Sequence, residues 1–154
     1  MEQETYNLLT AFTGIVALIV TIAGLYGLYI QIRKLRESVW SATHSKLCDQ
    51  SLELLKFFST IPGSYDYFYH KKTLTEDAAE KASILYATEA LANFLEQLVL
   101  QKKNLPAKQW DVWERFIHTT FKYSVVVMDF IQQNREWYST ELLIIADDCK
   151  FKYI

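Results

Sequence analysis

Residues 8–30 read LLTAFTGIVALIVTIAGLYGLYI, and this stretch decides the architecture. Its 23 residues, at about 1.5 Å of rise each, cover the roughly 30 Å hydrocarbon core of a bilayer with some tilt. Outward from it, no charged side chain occurs from Thr5 to Ile32, and Arg33, Lys34 and Arg36 follow at once. The stretch is too long for the apolar region of a secretory signal. Glu2 and Glu4 stand where a basic leader belongs and no small-residue cleavage site follows, so the span is expected to stay in the mature protein. With basic residues directly after it, the positive-inside rule puts the N-terminus outside and the rest in the cytoplasm, in a single pass of the inner (plasma) membrane. The expected division is residues 1–32, a short extracytoplasmic N-terminus and transmembrane helix, and residues 33–154, a cytoplasmic helical domain.

That domain is long enough for one core. All 16 Lys and Arg lie after Ile32, as do 16 of the 18 Asp and Glu, so the domain is formally neutral. Long nucleic acid needs several cations on one face and is not an expected partner. Gly14, Gly24 and Gly27 sit in the span and leave Gly63 alone for the domain. Phosphate-cradling loops, dinucleotide folds and the nucleophile elbow all need glycines, and none can be written here. His44, His70 and His118 are scattered without zinc-ligand spacing, and Cys48 and Cys149 read as free thiols. No catalytic residue, metal or cofactor is expected.

The fold class is all-α, one N-terminal transmembrane helix continuing into a cytoplasmic helical bundle. Nothing between Gly27 and Pro62 breaks a helix, and Leu47, Leu52, Leu55 and Phe58 give it an apolar stripe. After Pro62-Gly63 comes an aromatic connector in which Tyr65, Tyr67 and Tyr69 alternate. Thr73 and Glu76 resemble a capping box that opens a helix to about Gln101, with Ala79, Ala82, Leu91, Phe94, Leu95 and Leu98 on its buried side. Pro106 suits the start of the next helix, where Trp110, Trp113, Phe116, Ile117 and Phe121 recur at helical spacing. A continuous or bent helix is expected from Ser124 to about Asn134, and Ser139 caps a last one through Ile145.

A seven-residue repeat through the span collects Thr10, Gly14, Ala17, Thr21, Gly24, Leu28 and Gln31. Small residues let helices approach closely in lipid, so self-association is expected. The seam serves either plain packing or a ring of three or more helices with Thr10, Thr21 and Gln31 facing its axis. Two clusters mix cations, amides and rings in the domain. One holds Lys102 and Lys103 near Trp110; the other is Asn134, Arg135, Trp137 and Tyr138. Such mixtures hold nucleotides by phosphate pairing and stacking, and they equally serve as solvated caps and core.

One N-terminal span, a helical domain of about 120 residues and no catalytic motif together resemble the small single-span membrane effectors of type III CRISPR systems. That resemblance is of architecture across both modules. It implies antiviral defence, a nucleotide-binding domain that senses cyclic tetra-adenylate, and assembly as a tetramer. The Glu136-Trp137-Tyr138 segment is similar to aromatic segments in uncharacterised bacterial single-span proteins. The leading expectation is an oligomeric effector that senses a signal, by that resemblance a cyclic oligoadenylate, and alters membrane permeability. A membrane-anchored adaptor or scaffold is the alternative, and an enzyme ranks last.

Overall fold

The computed structural model describes residues 2–153, without the side chains of Glu2, Glu4, Ala11 and Tyr153. Every regular element among them is helical. Helix α1 runs Glu2–Ser59, α2 Ser64–Tyr69, α3 Lys81–Gln101, α4 Ala107–Tyr123, α5 Val125–Gln133 and α6 Thr140–Tyr153. Single 3₁₀ turns at Lys102–Asn104 and Arg135–Trp137 follow α3 and α5. The residues divide into two compact units between Ser41 and Ala42, inside α1. The boundary expected at residues 32 and 33 marks where charge begins, whereas this one marks where α1 meets other helices.

The first unit is helix alone. Its most apolar window has a mean hydropathy of 2.4 and none of it is buried within the chain. By length and composition it suffices to cross a membrane.

The second unit is a bundle in which α3 packs chiefly on α5 and α4 on α6. Ile84, Leu91, Leu95 and Leu98 of α3 recur at three, four and seven residues and are buried against Ile117 of α4, Ile131 of α5 and Leu142 of α6. From α1 the core receives Leu47 and Phe58, with Leu54 partly buried. Leu52 and Leu55 remain exposed, which corrects the expected stripe. At 100° per residue, Leu47, Leu54 and Phe58 share a face that the other two leave.

The aromatic connector, whose local structure the alternating tyrosines leave open, forms helix α2. Gly63 enters it with φ 71°, where glycine carries no Cβ penalty. Tyr67 and Phe68 then turn inward, Phe68 stacking on Phe58 at 4.5 Å between ring centroids. A second correction concerns Thr73, which caps nothing. Helix α3 opens at Lys81, and Ala79 and Ala82 are exposed. Glu80 accepts a 2.9 Å hydrogen bond from the Tyr67 hydroxyl and pairs with Lys72 at 3.5 Å. These tertiary ties fix the turn before Lys81 and outweigh the local capping signal. Helices α4 and α5 are separated at Ser124, whose extended backbone ends one helix and starts the next. Its hydroxyl donates to the Tyr67 carbonyl at 3.1 Å, locking the bend against α2. Helix α6 runs past Ile145 to Tyr153.

Candidate functional site

The Arg135 cluster is a corner where α5 hands the chain to α6. The Asn134 amide donates to the Phe130 carbonyl at 2.7 Å and closes α5. The Arg135 guanidinium then reaches Asp147 of α6 with two parallel bonds of 2.8 and 2.9 Å. It also donates to Gln132 at 2.8 Å, and Gln132 in turn donates to Asp147 at 3.0 Å. A bidentate fork of this kind is among the stronger side-chain pairings. Arg135, then Gln132, hold the Asp147 carboxyl down at about 2. An anionic ligand at Arg135 therefore competes with a carboxylate already in place.

Trp137 points outward, 60% exposed, with its ring edge against Phe130. It is free to stack. Tyr138 is buried, and its hydroxyl has no hydrogen-bond partner among the described residues. Burial, with Glu89 and Glu96 nearby, pushes that phenol up to about 12. Beyond it, Ser139 caps α6 as expected, its hydroxyl oxygen accepting from the Leu142 N–H at 3.3 Å. The Glu96 carboxylate of α3 accepts from both the Ser139 N–H and the Ser139 hydroxyl. That tie across 43 residues joins α3 to the start of α6, and nothing in local sequence announces it.

The other cluster stays apart. Lys102 lies over the Trp110 ring at 4.8 Å, Lys103 is exposed, and Asn104 donates to Gln101 at 2.7 Å. Among the described residues, no hydrogen bond or ring contact joins Lys102 or Lys103 to Arg135. In the first unit, the Thr10 and Thr21 hydroxyls donate to the Tyr6 and Ala17 carbonyls one turn back, at 3.0 and 2.8 Å. The seam thus presents few free donors. A Cβ added at Gly14 or Gly24 would meet nothing within 4 Å, so the face is open to a neighbouring helix. Ala17 and Gln31 are exposed on it as well.

His118 Nδ1 and Cys149 Sγ lie 3.0 Å apart, the nearest approach to a nucleophile and base. Cys149 is 1% exposed, and burial, aided by Asp148, lifts its thiol to about 11. At neutral pH it is protonated and poorly nucleophilic.

Sequence reasoning missed a groove of about 330 Å³ between α1 and α3. Gln50, Glu53, Leu54 and Phe57 line one wall and Ala90, Asn93, Phe94 and Gln97 the other. Both sets follow the spacing i, i+3, i+4, i+7, one helix face each. That shared spacing of amides around a ring was the available signal. No family model matches this chain, and comparisons with curated proteins and with solved structures find no match either.

Proposed function

We propose that this protein is a non-enzymatic, single-span effector of the inner membrane, with its N-terminus outside and its helical domain in the cytoplasm. The reading rests above all on the first unit. From Tyr6 to Ile32 its large apolar side chains have no cover within the chain, and burial of apolar surface is worth about 25 cal/mol per Å². A bilayer supplies that cover, and further copies meeting along Thr10, Gly14, Ala17, Thr21, Gly24 and Gln31 supply the rest. Signals reach the helical domain, and the span answers by altering permeability. Cyclic oligoadenylates of antiviral defence are the signal class implied by the resemblance to type III CRISPR effectors, which also favours a tetramer. The Arg135 corner is the proposed receptor, with Asn134 and Tyr138 framing it, Trp137 stacking a base and Lys102 and Lys103 as a separate anion contact.

The test is dye release from liposomes containing the full chain, with and without cyclic tetra-adenylate. Release that depends on the nucleotide and is lost in Trp137→Ala supports the reading. Tight membrane insertion with no release favours the adaptor. That alternative draws on α6, where Ile144 and Phe151 are 63% and 90% exposed seven residues apart on one face, as a partner's docking helix would be.

A further inference from the structure

The α1–α3 groove has a chemistry distinct from the Arg135 corner. Its lining contains three primary amides, one carboxylate and two phenyl rings, and no Lys, Arg or His. The buried Gln50 Oε1 accepts no hydrogen bond among the described residues. Nor do the side chains of Glu53, Asn93 and Gln97 have a hydrogen-bonding or ionic partner there. Gln50 Oε1 is therefore the buried acceptor that lacks a donor, while Glu53, Asn93 and Gln97 are exposed to solvent along the rim. A buried amide oxygen left unpaired is destabilising, and a donor placed in the groove relieves that. Phe57, partly exposed at the rim, offers a ring face that attracts a cation. Glu53 sets the sign, because an unpaired carboxylate repels phosphate and draws positive charge. At about 330 Å³ the space is at the small end of ligand sites.

We infer that the groove between α1 and α3 binds a slender organic cation carrying several N–H donors, of the polyamine or guanidino class. Its N–H groups satisfy Gln50 Oε1 and Glu53 together, with Asn93 and Gln97 closing over it from α3. Bound there, the cation fastens the last turns of α1 to the bundle. The inference is independent of the membrane reading, and its test involves no permeability measurement.

The experiment is calorimetric titration of the full chain in detergent micelles with spermidine, with agmatine and with tetramethylammonium. Spermidine or agmatine is expected to bind, the better of the two identifying the ammonium or guanidinium source. Tetramethylammonium, a cation without N–H donors, is expected not to bind. Glu53→Gln should weaken binding roughly tenfold, the equivalent of one hydrogen bond to a charged group. Gln50→Leu should weaken it similarly while leaving Tm unchanged or raised, since an unpaired acceptor is removed. If Gln50→Leu fails to fold, Glu53→Gln at the exposed rim decides alone. Absence of binding by both polyamine and guanidine, equal binding of tetramethylammonium, or unaltered affinity in Glu53→Gln overturns the proposal.

Discussion

At the scale of single residues, the bundle is held at its corners by charge and caps that act under different conditions. Asp147 has a folded-state carboxyl at about 2, below its ordinary 3.8. A depressed carboxylate contributes stability above its unfolded value and loses it as pH falls through the folded one. The Arg135 contribution is therefore complete above about pH 5, declines as pH falls through about 2 and is gone below about pH 1. Both side chains are more than a third exposed, so solvent screening keeps the effect modest. Arg135→Gln should lower Tm slightly at neutral pH and much less near pH 2, as melting curves at both values check. Ser139→Ala removes the cap on α6 together with the hydroxyl's bond to the Glu96 carboxylate. It should cost about 1 kcal/mol, read as a fall of a few degrees in Tm. Leu95→Ala, at a fully buried site, should cost more, about 2–5 kcal/mol by chemical denaturation. Of these residues, Ser139 and Leu95 were legible in sequence because caps and helical periodicity are local. Asp147 and Glu96 were not, since their partners lie 12 and 43 residues away.

At the scale of elements, what local sequence could specify came through and what depended on tertiary contact did not. Helix α1, the start of α4 after Pro106 and the cap of α6 all follow from hydropathy, proline and serine placed in sequence. The start of α3 does not, because Glu80 is held by Tyr67 of α2 and by Lys72 in the loop after it. The groove escaped for the same reason: the wall from Gln50 to Phe57 means little until Asn93 and Gln97 face it. The seam in the first unit is the element whose role can be tested most directly. Gly14 and Gly24 leave open space, so Gly24→Leu should hold neighbouring helices apart and reduce the oligomer mass of the detergent-solubilised chain. Leu18→Ala, on another face, should leave that mass unchanged. Mass photometry of the two variants decides between seam and bystander.

At the scale of the whole molecule, one uninterrupted helix belongs to both units. Its residues up to Ser41 fall in the first, and from Ala42 it contributes Leu47 and Phe58 to the core of the second. A stiff helix transmits motion that a Gly/Ser tether does not. Inserting a short Gly/Ser segment after Glu37 should therefore preserve membrane insertion and folding of the bundle while abolishing any signal-dependent leakage from liposomes. Leakage equal to that of the parent chain refutes transmission along α1.

The position of that boundary also governs what a protease does to this protein. Arg33, Lys34 and Arg36 form the first trypsin-like target after the apolar stretch, and their side chains are exposed. All of them precede His44, Leu47, Gln50 and Phe58, so a cut there removes nothing from the core, the groove or the Arg135 corner. Cleavage there would release the second unit whole instead of destroying it. On the proposed function, a shed copy would still bind the signal without reaching a membrane, so clipped copies would compete with full-length ones for it.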